Sequence, residues 1–169
     1  MKYVIIFSVL FFLAVISQSA LPHFKLLGVT PNLLLVFVIC WNMLRGQRDG
    51  MWIALMAGLL ADFTGSGPIG RSVAAFAPIV AFSAARDVKV VDSNFISTLA
   101  VVALATISYM IISMLVWTVT GEEIAWLTVL TRKLAPAVIV NMLITGVIYL
   151  PLNWYSQSLR SPIPRFGTI

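Results

Sequence analysis

The chain has 169 residues, 60% of them hydrophobic and 10% charged, with a mean hydropathy of +1.01, which excludes a soluble globular domain and points to a membrane protein. Its length allows about six spans of roughly 20 residues in one integral membrane domain, 1–169, with no room for a separate soluble unit. The net charge of +5 implies no nucleic-acid partner, because the basic residues lie scattered beside apolar runs and form no surface cluster.

The first apolar segment, 3–21, ends before Pro22. Lys2 ahead of a hydrophobic run, with Ser17, Ser19 and Ala20 behind it, also suits a cleaved signal peptide, but five further apolar segments favour an uncleaved first span. His23 reads as an interface residue in the loop that follows. Thr30-Pro31-Asn32 predicts a helix start, with Thr30 as cap and Pro31 in the first turn, where its missing N–H costs nothing. The second segment, 31–44, is only about 21 Å long as a helix. To cross a bilayer it has to tilt, extend at its ends or break locally. Cys40, alone within LLLVFVICW, predicts a buried or lipid-facing filler and no disulfide.

The third segment, 50–63, gathers Gly50, Ala54, Ala57, Gly58 and Ala61 within about a third of the helix circumference, with Trp52, Met56, Leu59 and Phe63 opposite. The small side is expected to pack tightly on a neighbouring helix. Ala54, Gly58, Ala61 and Gly65 form a narrow strip open either to a partner's helix or to another span of the same chain. The stretch ADFTGSGPIGRS, 61–72, then turns the chain back: Gly65, Gly67 and Pro68 break the helix and Gly70 lets the next begin close by. Asp62 and Arg71 stand on opposite arms of this hairpin. An unpaired carboxylate at that depth is expensive, so mutual pairing is the structural reading. The functional reading is a concavity where a partner, a lipid or a small molecule meets both charges.

The fourth segment, 69–85, carries Pro78. The fifth, 95–120, is the longest and is interrupted by Thr106, Ser108 and Tyr109, and the sixth, 130–150, holds Pro136 and Asn141. Prolines free backbone carbonyls, so Pro78 and Pro136 are expected to face protein. Tyr109, Asn141 and Thr145 either line a site or hydrogen-bond between helices, the commoner role. With a cytoplasmic N-terminus, the inner side receives Lys2, Arg45, Arg48, Arg86, Lys89, Arg160 and Arg165, against Lys25, Arg71, Arg132 and Lys133 outside. That bias predicts both termini in the cytoplasm, with Trp41, Trp52 and Trp154 near the inner interface and Trp117 and Trp126 near the outer one.

Chemistry finds little to use. Asp49 beside Arg48 and Asp92 near Lys89 read as loop charges satisfying each other. There is no three-ligand metal cluster, no phosphate-binding or dinucleotide-binding glycine pattern and no catalytic constellation, so neither a metal nor a cofactor is expected.

PNLLL at 31–35 followed by WNMLRG at 41–46, then AGLLAD at 57–62 and GPIG at 67–70, resembles the rod shape-determining protein MreD family of the bacterial inner membrane. The similarity runs over nearly the whole chain and is strongest from Pro31 to Ser72, although Asn32 stands where the family often has Asp. The resemblance implies an all-α polytopic membrane protein, a six-helix bundle similar to the substrate-binding subunits of energy-coupling-factor transporters. It also implies a non-enzymatic scaffold of the cell-elongation machinery supporting rod shape and lateral peptidoglycan synthesis. The partners it implies are the bitopic protein MreC as a direct contact, with MreB, RodA and its transpeptidase partner in the same assembly, amid membrane lipids. The alternative carried by the fold likeness is a small-solute-binding subunit of a membrane transporter.

The charge bias generates a topology test. In a Cys40-free background, single cysteines at positions 67 and 122 are expected to label from outside the cell, and those at 47 and 93 are not. The reverse pattern would overturn the orientation.

Overall fold

A computed structural model describes residues 2–19, 26–45, 47–65, 67–87 and 95–158. The expectations for His23, Lys25, Lys89, Asp92, Arg160 and Arg165 lie outside these residues, as do the side chains of Lys2, Arg45, Arg48, Asp49 and Arg86. The described chain is all-α. Its helices are α1 (Lys2–Ser19), α2 (Leu33–Arg45), α3 (Gln47–Thr64), α4 (Arg71–Asp87) and α5 (Phe95–Val119), then α6 (Trp126–Val129), which runs through a π-helical turn (Leu130–Leu134) into α7 (Ala135–Ser158). The last three pieces form one rod, so the described residues make six helical bodies. Two of them, Phe95–Val119 and Trp126–Ser156, are long and apolar enough to cross a membrane, and shorter apolar helices run over Ile5–Ser17, Leu33–Leu44 and Gly50–Thr64.

The short second helix is the centre of the bundle. Every residue from Leu34 to Leu44 is buried, and α2 touches α1, α3, α4, α5 and α7. A helix apolar on all sides has to be surrounded on all sides. Here the surround is protein, so the length of α2, about 20 Å, has no hydrocarbon thickness to match. Trp41 belongs to this core and not to an interfacial belt: it is 3% exposed, stacked on Phe37 at 6.1 Å and tilted against Tyr155 at 6.3 Å. Trp52 and Trp154 are exposed. Cys40 is buried and free.

Helix α3 packs by its small side. Ala54, Ala57 and Ala61 are buried, while Trp52, Met56 and Phe63 on the other side are exposed. A Cβ added at Gly58 would lie 2.8 Å from the Val73 Cα of α4, and one at Gly50 would collide with the Asn42 side chain of α2. The strip of Ala54, Gly58 and Ala61 is therefore consumed inside the monomer and is closed to a partner's helix. Close backbone approach is what association in lipid rewards, because the tails are as apolar as the side chains they replace.

Pro78 and Pro136 are half-buried. Pro78 lies inside α4. Pro136 has no N–H to offer the Arg132 carbonyl and its ring crowds that oxygen, and the helix widens into its π turn over Leu130–Leu134 immediately before it. The last helix does not stop at Leu150 but continues through Pro151 to Ser158. The outer faces carry large apolar side chains, among them Phe12, Ile96, Leu143 and Val147, as a body solvated by lipid requires.

Gly58→Ala is expected to lower the melting temperature of the purified protein, and Gly58→Leu to abolish a monodisperse folded species, since overpacking a closed contact costs about 1–3 kcal/mol or more. Gly146, where an added Cβ meets nothing within 4 Å, is the control. Gly146→Ala should leave the melting temperature unchanged or raised, and equal effects at the two sites would refute the close α3–α4 contact.

Candidate functional site

The hairpin between α3 and α4 is built around Asp62. Its side chain, 7% exposed, reaches from the last turn of α3 to the start of α4. The backbone N–H of Gly70 donates to Oδ2 at 2.8 Å, that of Ser72 to Oδ1 at 2.8 Å, and that of Val73 to Oδ2 at 3.4 Å. The first N–H groups of any helix lack partners within it. A carboxylate there satisfies them with charge-assisted bonds and meets the positive end of the helix dipole. Gly70 adopts a φ of +92°, a conformation that a residue with a Cβ rarely takes, and this turns its N–H toward Asp62.

Arg71 is not the partner of Asp62. Among the described residues no ion pair joins them. The guanidinium carbon lies 5.7 Å from the centroid of the Trp117 ring on α5, and the buried Nε has no hydrogen-bond partner. Gly67 makes room for this arrangement, since a Cβ there would lie 2.9 Å from Arg71 Nη1. The expected mutual compensation is thus replaced by two separate solutions: backbone amides hold the carboxylate and an aromatic face receives the cation. The start of α4 decides this, because its first turn and the preceding Gly70 offer Asp62 three donors within bonding distance.

A second polar cluster pins α2. Its cap is Asn32, not Thr30: Asn32 Oδ1 accepts from the Leu35 N–H at 3.1 Å, and the first helical bond runs from the Val36 N–H to the Asn32 carbonyl at 3.1 Å. The Asn32 N–H itself donates to Asn141 Oδ1 of α7 at 3.0 Å, and Asn141 Nδ2 donates to Thr106 Oγ1 of α5 at 3.1 Å. Thr106 donates to the Val102 carbonyl at 2.7 Å, and Thr145 to that of Asn141 at 2.7 Å. Asn141 thus joins three helices by hydrogen bonds, while Tyr109 packs edge-on against Phe76 at 5.6 Å.

Between these two clusters lies a cavity of about 480 Å³, at the end of the bundle where α2 and α4 begin and α3 ends. Asn141 and Thr106 line its inner part, and Arg71, Lys133, Ser113 and Ser17 also reach it. Of the residues singled out in the sequence as site candidates, Ala61, Arg71, Tyr109 and Asn141 line this cavity, joined by Thr30, Pro31 and Asn32 from the start of the second segment, and Asp62, Gly67 and Gly70 build its neighbouring hairpin. Gly65 closes α3, its N–H donating to the Ala61 carbonyl at 2.9 Å, and Pro68 accepts from the Arg71 N–H at 3.2 Å. Ala54, Gly58, Pro78 and Pro136 do not line the cavity. Sequence reasoning missed Trp117 as the neighbour of Arg71, and Lys133 and Ser113 as residues that line the same cavity. No periodicity in one segment reports a meeting of side chains from three helices. Among the described residues no group of three His, Cys, Asp or Glu side chains is placed to hold a metal.

A family model described as rod shape-determining protein MreD matches residues 1–159. No curated protein and no solved structure matches the chain.

The cap at Asp62 makes a sharp prediction. Asp62→Ala should cost about 2 kcal/mol or more in stability, since it strands buried amide donors, while Arg71→Gln should cost less. The double exchange Asp62→Arg with Arg71→Asp should not recover folded yield beyond that of Asp62→Ala. Recovery toward the wild-type yield would restore the ion-pair reading.

Proposed function

This chain belongs to the rod shape-determining protein MreD family, non-enzymatic membrane scaffolds of the machinery that maintains rod shape, and from that premise we propose that it holds this assembly together through helix faces within the bilayer, with MreC as its direct partner. MreB, RodA and its transpeptidase partner belong to the same assembly. Six spans with both termini in the cytoplasm of a bacterial inner-membrane protein complete the proposal, supported by the distribution of basic loop residues.

One observation carries the contact. An apolar groove of about 480 Å³ runs between α1 and α7, with Ile5, Val9, Val147 and Pro151 on its sides and the core residues Phe37 and Trp41 beneath. Along α7 the exposed residues Ile139, Leu143, Val147, Leu150 and Trp154 recur at steps of four, four, three and four, the spacing of a continuous helix seam. A bitopic partner has one apolar helix to offer, and such a helix suits a groove with an aromatic floor. The small strip of α3 is already used, so the seam on α7 takes its place as the face to examine.

A second reading, a small-solute-binding subunit with the fold of energy-coupling-factor transporter subunits, is favoured by the polar-lined cavity at the hairpin end. Depletion separates the two: a scaffold's loss alters cell width and lateral wall synthesis, whereas unchanged shape with loss of uptake of one solute would make the chain a transporter subunit.

For the contact itself, Val147→Trp fills the groove from its exposed lip and should reduce co-purified MreC severalfold while the melting temperature of the chain holds. Full MreC recovery from this variant would move the contact away from α1 and α7.

A further inference from the structure

The cavity at the hairpin end has a charge that the scaffold role leaves unexplained. Among the described residues two cations line it, Arg71 and Lys133, and no carboxylate does. Asp62, the acidic residue of the same hairpin as Arg71, is committed to the amides of Gly70, Ser72 and Val73. Glu122 and Glu123 line a separate cleft with Lys133 and Trp117 and do not reach this cavity. Cations at or near the hydrocarbon are costly unless something neutralises them.

We infer that this cavity binds a phosphate-bearing anion. Three buried polar atoms on its lining residues have no hydrogen-bond partner: Arg71 Nε, Ser113 Oγ and Ser17 Oγ. Buried donors left in this state are rare in folded proteins and ask for a partner. They belong to three different helices, α4, α5 and α1, as the several oxygens of a phosphate require. A guanidinium is the side chain best shaped to bind such oxygens, and an ammonium adds a point charge. The inner part of the cavity is already organised, because Asn141 and Thr106 are fixed by their bonds to each other and to Asn32.

Size and wall chemistry narrow the ligand. A volume of about 480 Å³ far exceeds that of one bare oxyanion, given roughly 30 Å³ for a water molecule in the liquid. The remaining wall includes Leu34, Met110 and Ala137, which offer apolar contact to an organic substituent. The ligand class is therefore a phosphate ester, whether the headgroup of an anionic lipid or a soluble organophosphate. This inference is independent of the MreC contact, which uses the groove between α1 and α7.

The test uses the purified full-length protein in phosphate-free detergent and four probes: dihexanoyl phosphatidylglycerol, dihexanoyl phosphatidylcholine, glycerol phosphate and inorganic phosphate. Saturable binding of the anionic lipid or of glycerol phosphate, weakened tenfold or more by Arg71→Gln and by Lys133→Gln and retained in Lys133→Arg, is the expected result. Binding of the lipid alone assigns a membrane source, and binding of glycerol phosphate with equal affinity assigns a soluble one. Lys133 is exposed on the π turn, so Lys133→Gln keeps the test decisive even if Arg71→Gln impairs folding. Equal binding of phosphatidylglycerol and phosphatidylcholine that neither variant changes, or binding of no probe but inorganic phosphate, would overturn the inference. MreC recovery by Lys133→Gln should match the wild type, so loss of anion binding and loss of the scaffold contact are read separately.

Discussion

A helix with no polar face has to be enclosed, and the enclosure of α2 organises everything around it. From Leu34 to Leu44 no side is left open, and five other helices supply the walls. Each of them has one face dictated by this contact, which leaves its other faces for lipid, for a neighbour or for a partner. Lipid tails are as apolar as the core, so burial from lipid gains little of the hydrophobic free energy that drives folding in water. Close packing and hydrogen bonds have to carry more of the weight. The bond from the Asn32 N–H to Asn141, continued to Thr106, therefore does more than cap a helix: it sets the depth of α2 against α5 and α7.

The two ends of the bundle solve different problems. At the hairpin end, helix starts bring unpartnered amides together, and polar side chains answer them: Asn32 for α2 and Asp62 for α4. In a low dielectric these bonds are stronger than in water and their loss is costlier. Toward the other end the packing is aromatic, with Trp41 between Phe37 and Tyr155, and Phe95 edge-on to Tyr149 at 5.3 Å. The polar end holds a cavity with positive charge, and the aromatic end underlies an apolar groove.

For a scaffold of the rod-shape machinery, this division has a functional meaning. The proposed contact lies inside the bilayer, and interior packing has already used the small residues that lipid-phase contacts favour. What is left is the seam along α7 with the groove beside it. The polar cavity is chemically separate and shares no lining residue with the groove.

The positions of the six helical bodies are legible in the residues alone, because apolar runs long enough to be helices are set off by Gly, Pro and charge, and that signal is local. The small side of α3 and the helix-breaking turn from Gly65 to Gly70 are legible for the same reason. The end of α7 is not: the apolar segment reads to residue 150, yet the helix continues through Pro151 to Ser158, with Leu152 and Tyr155 packed on the core. Trp41 reads as an interfacial tryptophan and lies in the core, because a one-dimensional pattern does not report which helix is central. Asp62 has one suitor visible in the sequence, the guanidinium nine residues on, and a second that only the fold supplies, the amides at the start of the next helix. Charge alone favours the first. The angle at which α4 leaves the hairpin points its N–H groups at the carboxylate, and only that geometry, made possible by Gly58 against Val73 and by the φ of Gly70, selects the second and leaves Arg71 to face Trp117 and the cavity.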